Sequence, residues 1–489
     1  MSHLVISKKN EVYLQIESEP HIYYELRDAF QFEVPNAKFS PAYKNKWWDG
    51  IIYMFNVNTK EIYIGLLDRV IQFCKDHKYT YEFKKNNYYG LPFEQNEEIS
   101  KEGVKDYVTS ISKYTPRDYQ IDGIYQALRN NRKVILSPTS SGKSLMIYSL
   151  VRYYVAKNNR ILIIVPTTSL VSQLYKDFID YGWSAENHCH LIYSGQEKDD
   201  DNKEVYISTW QSLFKLPKKY FQKFQCVICD ECHQAKAKSI TSIATKLCDA
   251  KYRFGFTGTL DGIEVHKLVL EGLFGPSYKS IRTDELIEKG HAATLNIKVL
   301  LLKHSPKKIE TYEDEVQYII QNDKRNKFIR NLALDLKGNT LILYSRVETH
   351  GELLYNLINS STTKERKVFF VHGGVNTKDR ELVREITERE NNAIIVASYG
   401  TFSTGINIKN LHNLIFASPS KSRIRNLQSI GRILRKSDSK NKATLYDIAD
   451  DMTYQNRKNY TLNHLIERIK TYTEENFNYD IVTIPFKDS

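Results

Sequence analysis

The stretch Ser137-Pro138-Thr139-Ser140-Ser141-Gly142-Lys143-Ser144 has the residue types needed to hold phosphate. An apolar strand pattern precedes it at 132–136, and a helical pattern follows from 145 to 157. A tight turn between strand and helix points several backbone N–H groups at one spot, and the helix N-terminus favours an anion there. Lys143 supplies a cation to terminal phosphates, and Ser144 a hydroxyl for Mg²⁺. Ser137 stands where the phosphate-loop pattern has Gly; it is small enough to keep the turn tight.

A second set lies downstream. Asp230 and Glu231 close an apolar run, 87 residues beyond Lys143 for Asp230. At a strand end, Asp230 can share the metal with Ser144, and Glu231 can orient and deprotonate an attacking water. His233 suits a relay from the same turn. Thr257-Gly258-Thr259 offers short hydroxyls to either carboxylate across a neighbouring strand end. Ser345 and Ser398 fall at later strand ends and are candidate contacts to a nucleic-acid backbone. Arg432 and Arg435 are three apart, so a continuous helix would place both on one face. There they could stabilise a transferring phosphoryl group or simply form a solvated basic face.

The elements that must position these residues form two blocks. Apolar runs at 132–136, 160–165, 204–208, 226–229 and 253–256 alternate with helical patterns, which predicts βαβ units and a parallel sheet. A second series, at 340–344, 367–371, 393–397, 414–417 and 443–448, predicts another such sheet without a phosphate loop. In these sheets ligands bind beyond the strand carboxyl ends. Residues 1–92 read as a small α+β domain, 93–114 as a polar linker with room for one short helix, 115–285 as the first block, and 286–489 as the second with a C-terminal amphipathic helix.

At the centre of the small domain lies Lys44-Asn45-Lys46-Trp47-Trp48-Asp49-Gly50. Tryptophans beside lysines suit stacking and phosphate contact. The alternative is a core Trp next to an Asp-Gly turn; both readings can hold together.

Composition adds bounds. With 489 residues, two to four domains are expected. Seventy Lys and Arg against 58 Asp and Glu give a formal net charge of +12, which favours a polyanionic partner. No apolar run is long enough for a membrane span, and the first residues lack a signal-peptide layout, so a soluble, cytoplasmic protein is expected. Six cysteines in so long a chain do not form a disulfide framework. Cys226, Cys229 and Cys232, with His188, Cys189 and His190, could be drawn as a zinc site. A buried strand would instead turn Cys226 and Cys229 to opposite faces, which favours buried thiols.

Taken in order, the motifs resemble those of superfamily 2 helicases and translocases. SPTSSGKS resembles motif I, DECH motif II, TGT motif III, IIVPTTSL motif Ia, STWQS motif Ib, SYGTFSTGIN motif V and QSIGRILR motif VI. The likeness is most specific to the UvsW-type helicases of tailed bacteriophages, extending through NKWWDG and to the tail around Phe477. It implies an α/β fold of two tandem RecA-like parallel-sheet domains behind a small N-terminal α+β domain. The cofactors implied are ATP and Mg²⁺. Lys143, Asp230, Glu231, Arg432 and Arg435 would be catalytic, with Ser144 and Asp230 on the metal. Arg117 and Gln120 would lie near the adenine, and Gly405 and the loop from Ser137 to Ser144 would complete the nucleotide site. Lys44, Lys46, Trp47, Trp48, Pro166, Thr167, Thr209, Gln211, Ser345 and Ser398 are the expected DNA contacts. Asn407 departs from the Asp of many relatives.

The resemblance implies ATP-driven remodelling of branched DNA in phage recombination, repair and replication, in the host cytoplasm. RNA or RNA–DNA hybrids as main substrate, and an annealing protein with a weak ATPase, are the alternatives. A monomer is compatible with the sequence, which leaves oligomeric state open.

Overall fold

The computed structural model describes the chain except residues 1, 36, 194–196, 237, 261, 364, 406–407, 437–439 and 487–489. Asn407 therefore lies outside the described residues. The chain divides into two compact units, the first of residues 1–137 and 142–280, the second of residues 281–489 together with the loop segment Pro138–Ser141.

In the first unit, β7 (Arg132–Leu136), β8 (Ile161–Val165), β9 (Cys189–Ile192), β10 (Val205–Thr209), β11 (Cys226–Asp230), β12 (Tyr252–Thr257) and β13 (Ser277–Lys279) make one sheet. Its order is β13-β7-β12-β11-β8-β10-β9, every pairing parallel. Strands covered on both faces need apolar side chains on both, so β8 and β10 are buried throughout. Cys226 and Ile228 enter one core cluster, and Val227, Cys229 and Cys232 the other. All six cysteines are free and buried. The register sets Leu136 level with Thr257, and Phe256 level with Asp230. The loop after β7, the acidic turn after β11 and the threonine turn after β12 thus meet at one sheet edge.

The N-terminal domain precedes this block. It comprises β1 (His3–Lys8), β2 (Tyr13–Glu17), β3 (Gln31–Glu33), β4 (Ile51–Tyr53), β5 (Glu61–Tyr63) and β6 (Thr80–Lys84). A sheet of order β5-β2-β1-β6 and the separate pair β3-β4 carry the helices Pro20–Ala29 and Leu67–Asp76. Its core includes Leu268, from the helix Glu264–Phe274 of the α/β block. The two pack closely: a Cβ on Gly65 would sit 1.9 Å from the Glu271 carbonyl oxygen. Within 93–114 the helix Lys101–Ile111 is capped by Ser100, whose hydroxyl accepts from Gly103 N at 3.1 Å. Val104 and Val108 enter the α/β core.

The second unit holds β14 (Thr294–Lys303), β15 (Thr340–Tyr344), β16 (Val368–Val371), β17 (Ile394–Ser398), β18 (Asn413–Phe416), β19 (Lys442–Asp451) and β20 (Tyr479–Pro485). They form an all-parallel sheet of order β16-β17-β15-β18-β19-β14-β20. Tyr344 pairs with Ser398, so the turns after β15 and at the end of β17 are neighbours.

Candidate nucleotide site and nucleic-acid contacts

The phosphate loop is shaped by two residues at positive φ: Ser140 at 74° and Gly142 at 80°. Gly142 immediately precedes the helix Lys143–Val155, whose first N–H groups open toward the loop. The positive φ favours glycine here, and a Cβ would lie 2.4 Å from Gln120 Nε2 and displace that side chain's end. Ser137 is not among the positive-φ residues. It is buried, and its N–H donates to the Thr257 carbonyl at 2.9 Å, so a serine costs the turn nothing here. Ser141 Oγ donates to the Pro138 carbonyl at 2.6 Å, tightening the loop. Lys143 Nζ donates to the Ser137 carbonyl at 3.2 Å and lies 3.8 Å from Glu231.

Gln120 comes to the same place. Its Oε1 accepts from Arg117 N at 2.9 Å, and its Nε2 donates to the Gly142 carbonyl at 3.4 Å. Arg117 Nη1 donates to Tyr119 OH at 2.9 Å.

At the acidic turn Glu231 has φ of 49°, a conformation that bulky non-glycine side chains seldom adopt. Its N–H donates to Asp230 Oδ1 at 2.9 Å. Burial first, and then the Glu231 carboxylate, push the Asp230 acid up to about 7. His233 Nδ1 lies 3.3 Å from Glu231 and 2.9 Å from Thr257 Oγ1. The contact found for Thr257 is therefore with the histidine beside the acidic pair, where sequence reasoning expected the carboxylates. A carboxylate withdrawn from water next to a second one is matched to a cation. Among the described residues, no group of three or more His, Cys, Asp and Glu could hold a metal. A cation here would find Asp230 as its one carboxylate beside a serine hydroxyl, and so would take its remaining ligands from phosphate and water.

In the second unit the helix Arg423–Ile433 carries Arg432 but ends before Arg435. One continuous helix face therefore does not hold both arginines. At the helix end, buried Lys440 donates to Ile433 O, and beyond it to Arg435 O at 3.0 Å and to Lys409 O at 3.4 Å. The Arg432 guanidinium lies 5.4 Å from the Phe402 ring centre. Gly405 closes the helix Tyr399–Gly405.

The expected DNA contacts are distributed as follows. Trp47 is 81% exposed, in an open groove with Lys38, Tyr43, Lys44 and Lys46. Trp48 is half-buried, its Nε1 donating to the Ile51 carbonyl at 2.7 Å. Asp49 makes the expected turn, accepting from Ile51 N at 2.9 Å. The expected turn is present, but neither ring joins the core cluster of this domain, and Trp48 lines the same groove as Trp47. Pro166 and Gln211 are brought together, Gln211 Nε2 donating to the Pro166 carbonyl at 3.4 Å. Thr167 caps the helix Thr168–Asp180. Thr209 is buried with its hydroxyl 3.1 Å from Ser212 Oγ, so its side chain is engaged internally. Ser345 N donates to Ser418 Oγ at 3.1 Å, and Ser398 Oγ lies 2.8 Å from Thr401 Oγ1. Ser418, which also meets His350 Nδ1 at 3.0 Å, carried no sequence signal.

Two parallel seven-stranded sheets, one with a phosphate loop and an acidic turn at its carboxyl edge, are the architecture expected of a superfamily 2 helicase, and the similarities that follow show an ATP-driven helicase. Residues 113–262 match the family described as type III restriction enzyme, res subunit, and 323–437 the helicase conserved C-terminal domain. Residues 6–84 match the N-terminal domain of DNA helicase UvsW. The ATP-dependent DNA helicase uvsW of Enterobacteria phage T4 is 34% identical over 500 residues, covering 96% of this chain and 97% of that protein. This chain belongs to the UvsW family of phage DNA helicases. The crystal structure of T4 UvsW is similar at a TM-score of 0.52 and 33% identity, with 99% of this chain and 100% of that one covered. A DNA 3'-5' translocase XPB2 of Sulfurisphaera tokodaii is 24% identical, over 66% of this chain and 79% of its own. Among the described residues no helix is long and apolar enough to cross a membrane.

Proposed function

We propose that this helicase remodels branched DNA, migrating Holliday junctions, regressing forks and unwinding R-loops or D-loops during phage recombination, repair and replication. The observation that carries the reading is the exposed Trp47 ring among Lys38, Lys44 and Lys46, on a domain of the same chain as the motor residues. An unpaired base at a branch can stack on such a ring, while lysines hold the flanking phosphates.

In the motor, Lys143 and the backbone N–H groups after Gly142 bind the nucleotide phosphates. Gln120, tied to the loop through Gly142 O, positions the base end with Arg117. Ser144 and Asp230 would hold Mg²⁺, which when bound neutralises developing phosphate charge. Glu231 accepts the proton of the attacking water, and His233, 3.3 Å away, orients it. Arg432 and Arg435 supply positive charge to the transition state. Pro166, Thr167 and Gln211 in the first unit, and Ser345 and Ser398 in the second, contact the strand backbone.

The test is ATP turnover with saturating single-stranded DNA, linear duplex, RNA and a four-way junction in parallel. The junction is expected to stimulate most and RNA least. Equal stimulation by RNA and junction would favour the RNA helicase reading, and no stimulation by any of them the annealing protein.

A further inference from the structure

Tyr181 lies 37 residues from Ser144 in sequence, yet its hydroxyl is 2.6 Å from Ser144 Oγ. Tyr181 is the cap residue of the helix Thr168–Asp180. Its ring packs 5.1 Å from Tyr148, one turn beyond Ser144 on the phosphate-loop helix, and edge-on to Tyr114 at 5.8 Å. The phenol is held from both sides and cannot swing freely.

A serine in the first turn of a helix has choices for its proton, including carbonyls of the preceding loop. A hydroxyl that ligates a cation must offer a lone pair to the metal and send its proton elsewhere. We propose that Tyr181 is a positioning residue: its oxygen accepts the Ser144 proton and leaves a Ser144 lone pair facing the Mg²⁺ site. The inference rests on the reading of Ser144 as a cation ligand. It assigns a further residue to the site, one that no motif contains.

Tyr181→Phe removes the hydroxyl and keeps the ring packing. The measurement is binding of a fluorescent ADP analogue across a Mg²⁺ titration and in EDTA, alongside the melting temperature. Tyr181→Phe should leave affinity in EDTA unchanged and raise the Mg²⁺ concentration needed for half-maximal tightening by roughly 3- to 10-fold, the effect of one lost hydrogen bond. In a Ser144→Ala background it should add nothing. Tyr148→Phe is the control, because that hydroxyl donates to the Ile111 carbonyl at 2.7 Å instead of to the serine. It should lower the melting temperature without moving the Mg²⁺ dependence. A Tyr181→Phe protein with wild-type Mg²⁺ dependence, or an effect that adds in full to Ser144→Ala, would overturn the proposal. If Ser144→Ala itself leaves the Mg²⁺ dependence unmoved, the ligand assignment of Ser144 fails instead.

Discussion

Glu231 is held at positive φ between Asp230 and His233, with Lys143 at 3.8 Å. That arrangement separates binding from chemistry. Lys143 carries the charge the phosphates need, so Lys143→Ala is expected to abolish nucleotide binding and turnover together. Glu231→Gln keeps the shape but loses the base; ATP should still bind while turnover falls roughly 10²- to 10⁴-fold. Arg432→Ala should likewise bind ATP and lose about 10³- to 10⁵-fold in DNA-stimulated turnover. Steady-state rates beside equilibrium nucleotide affinity distinguish these cases. Near-normal turnover in Glu231→Gln would remove it from the role of base.

At the scale of elements, the N-terminal domain is joined to the first α/β block through a buried ion cluster. Glu11 lies 3.0 Å from Lys8 and 2.7 Å from Arg132, the first residue of β7, and its N–H donates to the Cys248 carbonyl at 2.8 Å. Burial lowers the pKa of both cations. Glu11→Ala would leave two buried positive charges facing one another, at a cost of about 3–5 kcal/mol. The check is denaturant unfolding; a change under about 0.5 kcal/mol, within the range of ordinary surface substitutions, would mean that the cluster is not coupled to folding. The same contacts bear on truncation. Removing residues 1–92 uncovers Leu268 and deprives Arg132 of its carboxylate, so a shortened chain is expected to be less stable as well as less selective.

For the whole molecule, the net charge of +12 and lysines such as Lys44 and Lys46 favour contact through phosphates. Affinity for DNA should then fall steeply with salt. If six to ten phosphates are contacted, the loss between 50 and 200 mM is about 10³- to 10⁵-fold. Fluorescence anisotropy across that range measures it, and a flat profile would contradict a phosphate-led interface.

The sequence by itself determined the motor. Phosphate chemistry demands particular residues at fixed short spacings, so Gly142, Lys143 and Ser144, and then Asp230 and Glu231, stood out as candidates without coordinates. The central strands were legible for a related reason: strands buried on both faces must be continuously apolar, as in β8. β14 was not, because its apolar run is flanked by lysines and periodicity alone does not separate strand from helix there. β20 was not, because it is an edge strand whose short apolar stretch, Ile481 and Val482 included, stays exposed and so marks no core. The helix Lys101–Ile111 has only Val104 and Val108 buried, so its sequence looks like linker. Which tryptophan is the more exposed was not legible, because two adjacent residues of one type carry the same signal; the folded turn gives Trp48 the Ile51 carbonyl and leaves Trp47 in water. The helix also ends between Arg432 and Arg435, where Lys440 donates to the Ile433 and Arg435 carbonyls, an end that no spacing of apolar residues announces. Likewise Tyr181 meets Ser144 only because two helices pack side by side; no local spacing encodes a contact across 37 residues.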